Sequence, residues 1–557
     1  MEKYTKETLI KGILLVATAI FLLWHHFYSF STHFGFDDMH YAKLAHAVSV
    51  GTFETTMDHY THRWGFIFPV GWMYQFFGVS DFTSALFPMV MTFLTVWLVW
   101  KMSATYDLWM RLWAVIFLIT SEWVLFYSDK LMPDITVMFV ATLIIYAYWS
   151  VIYHDMKVWK GSVVTAFAVF YCFITKETII LILPLLLIWF LIDVFYLKRN
   201  VKFWKLTLLF GLAIFGLYFG YSFIQAGDPM FRLKAIVSNG YFSACSYDLL
   251  PVSHLIKRIA YELWLNFIGN GLFLGILFII PLIWTNKILS KATLVKEDSF
   301  WIFNAVTLLL LSNFMTSSPN AYTPLCLDIR HYLFVVPSIA IASGIGIQQF
   351  LSPTIKYKYV WKVVAIFMFI LAYIFKLGHL YQYFGIAFLL VIYHFSKTKS
   401  LSAFSDKYFW IVLFVILFYT PYASYQDAKN YNYHSQKILV NRHLKDYKHP
   451  SKLLIITNPV EKNIDEYILG FDFKNIQFLA YKDVTDSIVN EHDSIMMIGN
   501  GMTSYLSNVQ WEDLPEWVKS PDTTTLKIDS LQKIDWYVVN KNDLLSRIKS
   551  DQQKEMK

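Results

Sequence analysis

The chain has 557 residues, of which 56% are hydrophobic, 19% aromatic and only 16% charged, and its mean hydropathy is +0.44. That composition excludes an ordinary soluble protein of this size and predicts a polytopic α-helical membrane protein. The net charge of +7 does not point to nucleic acid, because the Lys and Arg residues fall in short segments between apolar runs, where the positive-inside rule places them.

Apolar runs long enough to span a bilayer begin near Leu9, Ser84, Leu112, Ile135, Ser162, Thr178, Leu206, Leu265, Phe300, Tyr332, Val360, Tyr381 and Lys407. They predict about 13 transmembrane helices. The first run, Leu9 to Phe30, has no small-residue cleavage site and reads as a retained span. Basic segments at Lys101 to Arg111, Lys157 to Lys160, Lys198 to Lys205, Lys287 to Lys296, Lys356 to Lys362 and Lys397 to Lys407 mark the cytoplasmic side, and Lys3, Lys6 and Lys11 place the N-terminus there too. The opposite face then carries His33 to Asp81, Tyr127 to Asp134, the Lys176-Glu177 turn, Gln225 to Glu262, Thr316 to Arg330 and the tail after Tyr422. Such a chain belongs in a cell membrane, a bacterial inner membrane being the natural setting. Cys172 lies inside an apolar run as a small buried hydrophobe. Cys245 and Cys326 both fall in outer loops, where a bridge between them is one available pairing that sequence alone does not establish.

From Lys437 onward the composition is that of a soluble domain. Short β-rich runs at Leu453 to Thr457, Ile476 to Ala480, Ser494 to Ile498 and Asp535 to Val539 alternate with helical-looking segments. This predicts a small extracytoplasmic α/β domain over 426–557 with a mostly parallel sheet, following a transmembrane domain over 1–425. Gly499-Asn500-Gly501 is far short of a dinucleotide fingerprint, and the domain receives no chemistry.

The outer loop after the first span holds the acidic pair Asp37-Asp38. Two carboxylates beside a bilayer need partner cations, a metal or open water, so the rest of the chain can be searched for those partners. Met39 to Val50 has helical periodicity with Tyr41, Leu44, Ala45 and Val48 on one face, which predicts an interfacial helix. At its N-terminus the helix dipole favours the ionised form of Asp37 and Asp38, although a plain helix-capping role accounts for either one. His33, His40, His46, His59 and His62 crowd the same loop, and His59 and His62 have i to i+3 spacing. No recognisable ligand set accompanies them, so a divalent ion, if used, is expected on carboxylates instead.

The run Asp37-Asp38-Met39-His40-Tyr41-Ala42-Lys43-Leu44-Ala45 resembles the Asp-Glu-x-x-Tyr-Ala-x-Ile-Ala signature of lipid-linked-sugar glycosyltransferases of the protein O-mannosyltransferase and aminoarabinose transferase type. Further pieces follow in the same order. Tyr60-Thr61-His62-Arg63-Trp64-Gly65 with Pro69 resembles the loop that supplies a basic residue, and Tyr127 to Asp134 resembles the second outer loop with its closing acid. Phe173-Ile174-Thr175-Lys176-Glu177 is similar to a Leu-Thr-Lys-Gly-Pro element, and Arg330 to Pro337 to an Arg-Tyr-Leu-Leu-Pro segment. Asp38 replaces Glu, Glu177 replaces Gly, and His331 is inserted between Arg330 and Tyr332.

The resemblance implies inverting transfer of a sugar from a polyprenyl-phosphate donor to a lipid, protein or glycan acceptor at the outer membrane face. Asp37 is then the expected general base, with Asp38 and Asp134 as further acids. Arg63, Lys176 and Arg330 are expected to hold the donor phosphate as its charge grows, ahead of Lys130. Tyr41, Glu177 and Tyr332 are expected to support them or meet the acceptor. A transporter or flippase is the competing reading. It fits less well, because no internal repeat with Gly/Pro-broken helices is apparent and the charges gather at one face rather than at the midplane.

Overall fold

The structure is a computed structural model that describes residues 2–177, 181–238, 245–285, 291–316, 321–352, 359–398, 406–445, 447, 451–500 and 525–555. Helix predominates, because an apolar run in lipid can satisfy its backbone polar groups only within itself. In chain order the first half comprises α1 (Glu2–Ser29), α2 (Asp37–Ser49), α3 (Trp64–Phe77), α4 (Asp81–Met102), α5 (Leu108–Thr120), α6 (Glu122–Tyr127), α7 (Asp134–Tyr153), α8 (Val158–Phe173), α9 (Leu183–Leu191), α10 (Val201–Ala226) and α11 (Phe231–Ser238). Among the described residues six helical stretches are long and apolar enough to cross a membrane, and six shorter apolar helices accompany them. The protein is a multi-pass membrane protein.

Each predicted apolar run coincides with a helix, with two local differences. The run starting near Thr178 has its first residues outside the described ones and continues as α9. The run starting near Leu265 is divided at Asn270-Gly271, between helices Leu263–Gly269 and Phe273–Thr285. Gly501 and parts of the basic segments after Lys287, Lys356 and Lys397 also lie outside the described residues.

The helix Val336–Leu351 is buried almost all round, and its Ala340, Ser343, Gly344 and Gly346 let neighbours approach closely. Trp113 of α5 reaches it and donates from Nε1 to Ser343 Oγ at 2.8 Å, so a bulky indole is buried without an orphaned donor. Cys245 and Cys326 form a disulfide across 81 residues, with Cα atoms 5.1 Å apart.

The C-terminal sheet has the order β2-β1-β3-β5-β4, built from β1 (Leu453–Thr457), β2 (Ile476–Ala480), β3 (Ser494–Asn500), β4 (Thr525–Leu531) and β5 (Ile534–Val539). β2, β1 and β3 are parallel, whereas β5 pairs antiparallel with β3 and β4 with β5. The sheet is therefore mixed rather than mostly parallel. The cause is a hairpin whose two turn residues, Gln532 and Lys533, both have positive φ.

This sheet is fastened to the acidic loop. Helix Pro459–Ile468, capped by Asn458 Oδ1 accepting from the Glu461 N–H at 2.8 Å, packs against α2. Gly35 has φ +77°, and a Cβ there would lie 2.5 Å from Val460 Cγ1, so both conformation and space require glycine. Its carbonyl accepts from Asn463 Nδ2 at 2.8 Å, and Lys43 pairs with Glu466 at 2.6 Å. Thus α2 lies between α3 and this helix.

A second fastening is polar. Asp81 accepts from Tyr433 Oη at 2.6 Å, Lys437 Nζ at 2.7 Å and His33 Nε2 at 3.1 Å. Burial pulls the His33 pKa down, but hydrogen bonds to Asp38 and Asp81, with their charges, outweigh it and hold it above 6.5. A raised folded-state pKa contributes stability that is complete below the unfolded value and is lost as pH rises through the folded value. Hydrogen-exchange protection factors in Tyr433–Leu444 should therefore fall as pH rises above 6.5, and His33→Gln should flatten that dependence. Protection independent of pH in the wild type would count against a charged His33.

Candidate active site

Three segments converge on Asp37. The residue opens α2 and is partly exposed. Asp58 caps the short 3-10 helix His59–His62 by accepting from the Tyr60 N–H at 3.0 Å, and Tyr60 Oη in turn donates to Asp37 Oδ1 at 2.6 Å. Asp328 caps the 3-10 helix Ile329–Val335 by accepting from the Arg330 N–H at 3.1 Å, and its Oδ2 also holds Arg330 Nε at 2.8 Å. The guanidinium so placed reaches Asp37 Oδ2 with Nη1 at 3.2 Å. Burial raises the Asp37 pKa, but the Tyr60 hydrogen bond and the charges of Arg330, Arg63 and Lys176 together bring it below the usual value.

Arg63 is buried beside this group. Its Nη2 is 3.0 Å from Glu177 Oε2, its Nη1 donates to Tyr41 Oη, and its guanidinium carbon lies 4.8 Å from the Tyr60 ring centroid. Arg63 meets Glu177 because α3 starts against the end of α8. The Gly65 N–H donates to the Ile174 carbonyl at 2.9 Å, Tyr171 Oη donates to the Gly65 carbonyl at 2.6 Å, and a Cβ on Gly65 would collide with Thr175. Arg232 of α11 closes the far side, 3.6 Å from Glu177 Oε1, while donating to the carbonyls of Phe173 at 2.6 Å and of His62. Burial raises the Glu177 pKa, but Arg63 and Arg232 bring it down to about 2. Burial lowers His59, further depressed by Arg63, to about 4, so this histidine is neutral near pH 7. The fixed positive charge comes from Arg and Lys.

A third, buried pair adjoins them. Lys176 Nζ is 2.5 Å from Asp134 Oδ1 and 3.3 Å from His331 Nδ1, and Asp134 lies 3.7 Å from the same ring nitrogen. Burial, together with the charges of Arg330 and Arg63, lowers the Lys176 pKa by more than Asp134 restores it.

Two expected residues stand apart. Asp38 is 1% exposed and accepts from the N–H groups of Phe34 at 2.6 Å and Phe36 at 3.1 Å, so it shapes the turn into α2. Tyr332 is also 1% exposed; its hydroxyl takes a hydrogen bond from Arg258 at 2.8 Å and lies 2.8 Å from the Cys326 carbonyl it donates to, holding the disulfide loop. Lys130 is elsewhere too, paired with Asp129 at 3.0 Å. Tyr60, Arg232, Asp328 and His331 join the cluster without having been expected in it. Among the described residues no group of three or more His, Cys, Asp or Glu is placed to hold a metal ion. Asp37 and Asp134 are each engaged by a cation.

No known family's sequence profile matches the chain, and no curated protein matches it by sequence. Solved structures do. ArnT from Cupriavidus metallidurans superposes in its apo state with a TM-score of 0.62 at 12% identity, covering 96% of this chain and 98% of that one. Bound to undecaprenyl phosphate, the same protein superposes with a TM-score of 0.57 at 12% identity, over 95% and 97%. The chain has the ArnT fold. An archaeal oligosaccharyltransferase, AglB from Archaeoglobus fulgidus in complex with an inhibitory peptide and a dolichol-phosphate, aligns at a TM-score of 0.48 and 10% identity over 91% of this chain and 72% of that one. The ArnT fold takes in the C-terminal sheet as well as the helices, since the superposition spans nearly the whole of both chains.

Proposed function

We propose that this protein transfers a sugar, with inversion, from a polyprenyl-phosphate donor to a lipid, protein or glycan acceptor at the extracytoplasmic face of a cell membrane. The observation that carries the reading is the Asp37–Arg330 pair, set among Arg63, Arg232 and Lys176 at one end of a multi-pass helical fold. The undecaprenyl phosphate bound to ArnT supports the donor class. On this reading residues 1–425 form the transferase domain, residues 426–557 the outer domain, and the N-terminus is cytoplasmic.

Charge counting suggests how the site works. Arg63, Lys176, Arg232 and Arg330 face Asp37, Asp134, Glu177 and Asp328, so the cluster is balanced before any phosphate arrives. An incoming phosphate must therefore take a cation from a carboxylate. The Lys176–Asp134 side chains are only 9% and 2% exposed, whereas Arg330 and Asp37 are 22% and 31% exposed, which makes theirs the pair a donor can reach. Arg330 then moves its charge to the leaving phosphate, and Asp37, released from it, becomes a stronger base towards the acceptor O–H or N–H. Arg63 adds a second fork, Tyr41 and Glu177 orient it, and the buried Lys176–Asp134 pair, neutral overall, backs the site. Asp38 and Tyr332 act at a distance, by setting the loops that carry Asp37 and Arg330.

Mass spectrometry of lipid-linked sugars and surface glycans in cells with and without the protein tests the activity. Accumulation of one polyprenyl-phosphate sugar with loss of one glycan modification is expected, and unchanged pools would refute it. Arg330→Ala and Arg63→Ala should each raise the donor KM by roughly ten- to a hundredfold, the size of a charged hydrogen bond. Unaltered donor kinetics would remove these residues from the phosphate site.

A further inference from the structure

At the opposite end of the same helices lies a second charged pocket, of about 590 Å³, that the transfer reaction does not use. It is bordered by the start of α1, the end of α4, the start of α5, the end of α7 and the start of α8. Asp134 opens α7 at the active site and His154 follows its last residue at this pocket. The 20 residues of that helix separate the two sites by about 30 Å, the thickness of a bilayer core.

Lys11, Lys101, Arg111, Lys157 and Lys160 line the pocket against two carboxylates, Glu7 and Asp155. Among the described residues no ion pair joins any of the four lysines to a carboxylate. Arg111 is 7% exposed, stacks at 3.8 Å on Trp100, and pairs through Nη1 with Glu7 at 3.0 Å. Among the described residues its Nε has no hydrogen-bond partner, and neither has the Oγ of Ser150, which is 3% exposed. Two buried polar groups without partners, within a ring of unpaired ammonium groups, make a site for an anion with several acceptor oxygens. On the far side of α1 from Glu7 and Lys11, Leu9, Ile13, Val16 and Ile20 form an exposed apolar face suited to lipid, which sets the pocket at the end of a lipid-facing helix.

We infer that this pocket binds the headgroup phosphate of an anionic glycerophospholipid in the leaflet opposite the active site. The headgroup phosphate takes Arg111 in competition with Glu7, whose side chain is 51% exposed and free to swing aside. Lys157 and Lys160, at the rim, neutralise the remaining charge. This site does not depend on the proposed transferase activity.

The test is binding of dioctanoyl-phosphatidylglycerol to the full-length protein in neutral detergent, with dioctanoyl-phosphatidylcholine and inorganic phosphate as comparators. The anionic lipid should bind at least about tenfold more tightly than the zwitterionic one, and Lys157→Gln/Lys160→Gln should weaken it roughly tenfold or more. Both lysines are exposed, so folding is not at stake. Lys202→Gln/Lys205→Gln, exposed and outside the pocket, should leave binding unchanged. Equal weakening by the two double variants would reduce the effect to diffuse surface charge and overturn the site. Displacement of the lipid by an equal concentration of inorganic phosphate would also overturn it, because a free anion rather than a lipid headgroup would then be the ligand.

Discussion

Asp37→Asn is expected to lower kcat by roughly 10²–10⁴-fold, the usual contribution of a positioned general base, while the protein still inserts and folds. The amide can accept the Tyr60 hydrogen bond but cannot take a proton from the acceptor. It also releases Arg330, so the donor KM should stay level or fall as kcat collapses. A pH profile of the wild type separates this role from a structural one. A base must be ionised, so activity fails as pH falls through its pKa. In the free enzyme Arg330 and Tyr60 hold Asp37 below the ordinary 3.8, which puts the acid limb of kcat/KM below the usual carboxylate range. Once a donor phosphate has drawn Arg330 away, the acid limb of kcat itself should lie at higher pH. Wild-type turnover by Asp37→Asn would sink the assignment, and coincident acid limbs would sink the exchange of Arg330 between carboxylate and phosphate.

The largest stability effect is expected at Asp134. Removing it as Asp134→Ala leaves the buried Lys176 ammonium without its carboxylate 2.5 Å away, which costs about 3–5 kcal/mol for a buried pair broken on one side. Lys176→Met in the same chain should recover much of that loss, because no stranded charge remains. The single variant should also respond to pH in a definite direction. With the folded-state Lys176 pKa below the ordinary 10.5, the unfolded chain binds more protons through that window, and stability must rise with pH. Thermal unfolding of the two variants between neutral and alkaline pH decides this. A double variant no more stable than the single one would mean that lost packing, not stranded charge, sets the cost.

Why some of this was legible in the sequence and some was not has a physical basis. Long apolar runs admit only helices in lipid, so the membrane-spanning elements could be read from composition and length. Asp37, Arg63, Lys176 and Arg330 stood out because charges beside a bilayer are costly and therefore few. Arg232 is as buried as any of them, but it sits in a long polar outer segment where an arginine resembles a headgroup anchor. Tyr60 was one of 36 tyrosines in an aromatic-rich chain, and only its distance to Asp37 separates it from an interfacial belt residue. Strand β4, Thr525–Leu531, interleaves Thr525, Lys527 and Asp529 with Leu526 and Ile528, and such a short polar strand is defined by its partner β5 more than by its own pattern. The division of the Leu265 run at Asn270-Gly271 was missed for the opposite reason, since apolar residues on both sides concealed a turn whose glycine has φ +74°.

The clasp of helix Pro459–Ile468 on Gly35 and Lys43 ties the C-terminal sheet to the candidate site. Val460 touches the chain two residues before Asp37, and Glu466 holds a lysine one and a half turns beyond it. The turn that carries Asp37 is thus braced from the C-terminal sheet, and a substitution that loosens this clasp is expected to disturb the Tyr60 and Arg330 contacts of Asp37 as well.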